Sequence, residues 1–264
     1  TGCNQPAKEG TATDGTAGAD TTTEIKTVAI TAIVEHPALD AVRKGVIDEL
    51  NDAGFKEGEN LKINFQSAQG NTATAGQIAK QFVADNSDVI IAIGTPSAQS
   101  VAAATSSIPL VFSAVTDPVE AKLVSKLDGS GTNVTGGSDA LPDIAMAARS
   151  LEGKVDMIYT STDNNVVSAY ESLYQAAKES KIPLIASDTS SVERGAIAAL
   201  GVNYYDLGRE TGKIVVRILN GEKAGAIPVY TPKVLDLYVS PKHAKEQGIT
   251  LPQAVIDKAK EVVE

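Results

Sequence analysis

The chain has 264 residues, 42% of them hydrophobic, enough for the core of one large or two smaller domains and for a ligand held between lobes. A net charge of −10, from 23 basic and 33 acidic residues with no basic cluster, argues against nucleic acid as a partner. The single cysteine, Cys3, excludes an internal disulfide, and with only 4% aromatic residues and no Trp an aromatic-lined pocket must draw on the 4 Phe and 7 Tyr.

Residues 4–23 are rich in Gly, Ala, Thr and Asp and poor in bulky apolar side chains, the composition of a flexible tether. From residue 25 short β-branched runs alternate with amphipathic segments. "KTVAITAIV" (26–34) reads as a buried strand and "ALDAVRKGVIDELNDAG" (38–54) as a helix stopped by Gly54. "NLKINFQSA" (60–68), "NTATAGQIAKQFVADN" (71–86), "SDVIIAIGT" (87–95), "SAQSVAAATSS" (97–107) and "IPLVFSAV" (108–115) continue the strand and helix rhythm. Four strands separated by helices predict a parallel sheet covered on both faces, with ligand at the strands' carboxyl ends.

A second series follows. Strands are predicted in "KVDMIYTSTDN" (154–164), "IPLIASDT" (182–189) and at the start of "GAIAALGVNYYDLGRETGKIVVRILNGE" (195–222), which ends as a helix. "NVVSAYESLYQAAKESK" (165–181) is helical, and the tail supplies a strand near 234–239 and short helices starting around Pro241 and Pro252. "SKIPLIASDT" echoes "SSIPLVFSAVTDP" (107–118), which suggests two similar lobes facing across a cleft.

The ordered blocks "AIVEHPALDAVRKG", "GTPSAQ", "IPLVFSAVTDPV", "NVTGGSD", "GKVDMIYTSTDNNVVSA" and "IPLIASDTSSVERGAIAALGVNYYDLGRETGKI" resemble the substrate-binding lipoproteins of bacterial ABC importers, over residues 26–252. Within that family the likeness is to members that bind aromatic and other amino acids. The resemblance implies an α/β fold of two Rossmann-like lobes with parallel sheets, of the periplasmic-binding-protein type I, closing on a ligand. It implies a tether over 1–24, a first lobe over 25–117 to which part of 205–264 returns, a second lobe over 118–230, and crossover and terminal helices over 231–264. It implies binding loops at Glu35 and His36, at Thr95, Pro96 and Ser97, and at Ser113, Thr116 and Asp117. Opposite them come Tyr159, Thr162, Asp163 and Asn164, then Ser187 and Asp188. "TGC" resembles the start of a processed lipoprotein, so Cys3 is the expected lipidation site and the chain an extracytoplasmic, membrane-anchored monomer. Its expected partners are a small ligand, an amino acid in preference, and a membrane ABC permease, with no cofactor or metal. One departure stands out: the family places roughly fifty more residues between "NVTGGSD" and "GKVD", so the second lobe is expected to be shortened.

Each candidate has a plainer role beside the functional one. Asp117, Asp163 and Asp188 can receive a ligand ammonium or cap the next turn through "TDPV", "TDNN" and "SDTS". Thr95 and Ser97 can grip a carboxylate at a helix start or only cap it, with Pro96 at the first helical position. Tyr159, Tyr204 and Tyr205 can touch a ligand or be structural. Glu35 beside His36 could serve acid–base chemistry, but adjacent residues diverge, and neither a dinucleotide G-x-G-x-x-G nor a P-loop ending is present. No enzyme is expected. The alternatives are a sensing receptor of the same fold and a non-binding or engineered scaffold.

Overall fold

The structure is a computed structural model that describes residues 24–139, 157–161 and 170–264. Cys3, Thr162, Asp163 and Asn164 lie outside the described residues. Those described build two five-stranded sheets.

The first sheet has the order β2-β1-β3-β4-β5, all parallel, from β1 (Lys26–Ala32), β2 (Leu61–Ser67), β3 (Val89–Ile93), β4 (Leu110–Val115) and β5 (Val134–Ser138). β3 and β4 are buried along their whole length, as strands covered on both faces must be. Helices α2 (Thr72–Ala84) and α3 (Thr95–Ala104) cover one face, where Phe82 and Val101 pack on Ala29, Ile90 and Phe112. On the other face α1 (Pro37–Asp52) lies beside α5 (Tyr204–Leu219), and Val42, Val46, Leu207 and Val215 pack on Val28, Ile30 and Ile91.

α5 reaches this lobe because its buried residues fall on one helical stripe, 204, 207, 208, 211, 212, 214, 215 and 218, and because two glycines let it approach α1. A Cβ on Gly208 would lie 2.1 Å from the Val42 carbonyl oxygen, and one on Gly45 would lie 2.2 Å from that of Tyr205.

The second sheet, β10-β9-β8-β7-β6, contains β6 (Ile158–Thr160), β7 (Leu184–Ala186), β8 (Ala198–Gly201), β9 (Asp236–Val239) and β10 (Glu261–Val262). β6, β7 and β8 are parallel, whereas β9 runs antiparallel to β8. Helix α4 (Tyr170–Ser180) packs Tyr170 and Ala177 on Leu184, Ala186 and Ala199. The short helices α6 (Pro241–Glu246) and α7 (Gln253–Ile256) close the lobe near the two prolines the sequence marked.

Val134–Ser138, beyond the first-lobe end expected at 117, adds a strand to the first sheet beside Leu110–Val115. Helix 204–219 packs on the first sheet, within the stretch 205–264 of which a part was expected to return to that lobe, and β9 lies in the second sheet.

Candidate functional site

The carboxyl ends of the first sheet's strands form one wall of a cleft. After β1 the chain turns through Glu35, which is exposed, to His36, which caps α1: its Nδ1 accepts the Ala38 N–H at 3.2 Å, with Pro37 following at the helix start. After β3, Gly94 precedes α3 at φ 92°, a conformation open to glycine, and a Cβ there would meet Ile33 Cγ2 at 2.9 Å. Gly94 offers no side chain to the helix start, so the N–H groups of Thr95 and Ser97 are uncapped by it, while Pro96 has none to offer. Ser97 is wholly buried and its Oγ has no hydrogen-bond partner.

Not all the expected residues of this wall face the cleft. Ser113 is buried and bonded to Thr211 at 2.7 Å; because Thr211 donates its own proton to the Leu207 carbonyl, Ser113 is the donor. The hydroxyl pins β4 to α5. A bulge between Ser113 and Val115 puts Ala114 at φ 56° and re-aims the following loop. Thr116 is exposed there, and Asp117 Oδ1 accepts the N–H groups of Val119 and Glu120 at 3.1 and 2.9 Å, the capping role. Asp139, one residue past β5, was not among the expected contacts. Its Oδ2 accepts the Tyr204 hydroxyl at 3.1 Å, while its Oδ1 is sealed from solvent without a partner. Burial pushes its pKa up against the hydroxyls of Thr116 and Tyr204 and its own N–H.

The second lobe supplies the facing wall. Tyr159 on β6 is 59% exposed. Ser187, just past β7, has a buried Oγ with no partner. Asp188 is buried and caps the 3-10 turn Thr189–Val192: Oδ1 takes the Ser191 N–H and the Ser190 hydroxyl, and Oδ2 takes the Ser191 hydroxyl. Arg194 follows that turn. Its guanidinium holds Glu171 through bonds of 2.8 to 3.0 Å, lies 5.4 Å from the Tyr170 ring centre, and brings Nη1 to 3.2 Å from His36 Nε2 on the other lobe. Burial lowers the His36 pKa; Asp188 and Glu171 oppose the shift and Arg194 adds to it. The strand ends of the two lobes therefore face each other and touch. Neither Arg194 nor Glu171 was expected from the sequence: the Arg194–His36 contact joins residues 158 positions apart, beyond any local motif.

Residues 27–142 and 139–263 match the family model "ABC transporter substrate binding protein". The chain belongs to this family. It is 37% identical over 262 residues to a tyrosine-binding protein of Clostridioides difficile (strain R20291), covering 78% of this chain and 76% of that one. Among solved structures it is similar to a conserved domain protein from Vibrio cholerae, 38% identical with a TM-score of 0.85 over 91% of this chain and 100% of that one. It is also similar to an ABC domain from Streptococcus pneumoniae in complex with L-Trp, 29% identical with a TM-score of 0.82, covering 91% and 100%. The ligand-free, open structure of a Clostridium difficile substrate binding protein with adhesive properties is 35% identical with a TM-score of 0.71, covering 91% and 99%.

The architecture is thus that of the periplasmic-binding-protein type I fold, two α/β lobes with parallel sheets. As a family member the protein is an extracytoplasmic solute-binding component of an ABC importer that carries a small organic ligand, a binding protein and not an enzyme. Among the described residues no group of three or more His, Cys, Asp or Glu is placed to hold a metal ion. The chain superposes better on the L-Trp complex than on the open form, although its sequence is nearer the latter. The bridge from His36 to Arg194 accords with lobes drawn together.

Proposed function

We propose that the protein captures a free aromatic amino acid between its lobes and presents the closed form to its membrane permease. The observation that carries this reading is the set of buried, unpartnered polar atoms at the facing strand ends: Ser97 Oγ and Asp139 Oδ1 in the first lobe and Ser187 Oγ in the second. Buried polar atoms are nearly always paired, so three such atoms beside one cleft mark places where a ligand supplies the partner. Asp139 Oδ1 suits an ammonium group, whose charge offsets the cost of its burial. The start of α3, with the Thr95 and Ser97 N–H groups and the Ser97 hydroxyl, suits a carboxylate. The aromatic side chain is supported by the relatives, one named for tyrosine and one holding L-Trp. Ligand contacts with both lobes would favour the closed state, which is all that delivery requires.

Two finer points belong to the same reading. Attachment to the membrane through Cys3 rests on its position ahead of the Gly/Ala/Thr/Asp run. A shortening of the second lobe near residue 140 is supported by the family match, which falls in two segments overlapping at 139–142.

Calorimetric titration of protein freed of carried-over ligand by unfolding and refolding tests the proposal. An aromatic amino acid is expected to bind at micromolar concentration or tighter. Folded protein that answers only to sugars or nucleosides would overturn the reading.

A further inference from the structure

His36 makes two contacts that its ring cannot satisfy together. Nδ1 accepts the Ala38 N–H at 3.2 Å, so in the neutral ring, the form that burial favours, the proton sits on Nε2. That Nε2–H faces Arg194 Nη1 at 3.2 Å, and a guanidinium has donors only. Two N–H groups therefore point at each other across the cleft. Moving the ring proton to Nδ1 would let Nε2 accept from Arg194 but would set Nδ1–H against the Ala38 N–H and remove the cap of α1. Nor can Arg194 turn away freely, since Glu171 grips its other edge and Tyr170 lies beneath it. A pair of fixed donors is complete when an acceptor oxygen stands between them.

Strand order says which end of a ligand this is. His36 follows β1 and Asp139 follows β5, three strands further along the sheet. At roughly 4.8 Å per strand that is about 14 Å. An amino acid's ammonium and carboxylate share one carbon and cannot span this distance. Resting on the reading that Asp139 takes the ammonium, the group reaching His36 and Arg194 is the far end of the side chain.

We infer that His36 and Arg194 are specificity-determining residues that receive the ring hydroxyl of a phenolic amino acid, whose oxygen accepts from both donors as the lobes close. Phenylalanine leaves the donors opposed, and the indole of tryptophan adds a third donor where an acceptor is needed.

The test titrates L-tyrosine, L-phenylalanine and L-tryptophan into the wild type and into Arg194→Gln and His36→Asn, whose fold is checked by circular dichroism. Asn keeps an acceptor for the cap of α1 while withdrawing the distal donor. The wild type is expected to prefer tyrosine to phenylalanine by roughly 100-fold or more, with tryptophan no better than phenylalanine. In each variant the preference should fall below about fivefold, mainly through weaker tyrosine binding. A strong tyrosine preference that survives in both variants overturns the assignment of these residues while leaving the amino-acid reading intact, as does a wild type that holds tryptophan as tightly as tyrosine. A folded wild type that binds none of the three overturns the amino-acid reading and the assignment with it.

Discussion

The Tyr204 hydroxyl donates to Asp139 Oδ2 at 3.1 Å, joining the residue where the chain leaves the first sheet to the residue that opens α5 on its return from the second lobe. The bond satisfies one oxygen of a carboxylate whose other oxygen has no partner, at a point where two passages of the chain between lobes lie side by side.

On the proposed reading, Asp139 is expected to make ligand affinity depend on pH. Its pKa in the folded protein lies above the ordinary 3.8, so the folded state holds the proton more tightly than the unfolded state. Its contribution to stability is therefore fully present below 3.8 and is lost as pH rises through the folded value, where the buried carboxylate takes up its charge. A ligand ammonium favours that charge. Affinity for L-tyrosine is expected to rise as pH climbs through the folded pKa and then level off, and Asp139→Asn to flatten the profile. Calorimetry across this range checks both, and a wild-type profile as flat as the variant's would count against Asp139 as the ammonium site.

Ser97→Ala should separate binding from stability. The hydroxyl is buried without a partner, so removing it from the ligand-free protein costs nothing or stabilises slightly. On the proposed reading the same change removes a donor to the ligand, and it is expected to weaken binding by about 0.5–1.5 kcal/mol. Thermal melts with and without L-tyrosine measure both effects on one sample.

Asp117→Ala should behave in the opposite way. Its Oδ1 holds the N–H groups of Val119 and Glu120, and loss of such a cap costs about 1 kcal/mol of stability. Ligand affinity is expected to stay within experimental error of the wild type, as judged by urea denaturation and calorimetry.

Gly208→Ala tests the seat of α5. A methyl group there would enter the space of the Val42 carbonyl, and forcing the helices apart is expected to cost about 1–3 kcal/mol. Since α5 carries Tyr204, ligand affinity should fall as well. Ala in place of Gly76, whose Cβ would meet nothing within 4 Å, is the control expected to leave stability unchanged or raised.

Several parts of the site were legible in the chain because they depend on local chemistry. The helix start at Thr95-Pro96-Ser97 follows from the fixed φ of proline after a strand and a glycine. The capping roles of Asp117 and Asp188 were open beside the ligand roles because an Asp reaches the N–H groups two and three residues on whatever the fold. β5 was missed, and Asp139 with it. "VTGGS" carries two glycines, which weaken a strand reading, yet Gly136 is required: a Cβ there would lie 2.2 Å from the Phe112 carbonyl oxygen. Had 134–138 been read as a strand, the rule that ligands meet strand carboxyl ends would have reached Asp139.

By itself the sequence determined the succession of strands and helices, since apolar periodicity and the punctuation of Gly, Pro and Asn act over a few residues. It also determined which loops lie at strand ends and, through the family likeness, that the chain is a solute-binding protein. Only the tertiary structure decided how closely α5 seats against α1, because that depends on two glycines in different helices meeting at backbone range. Only it decided that the Ser113 hydroxyl is turned into the core while the Ser97 and Ser187 hydroxyls are left without partners. And only it set Arg194 against His36, because a contact between lobes is fixed by how two packed bodies come together, a property no stretch of chain carries alone.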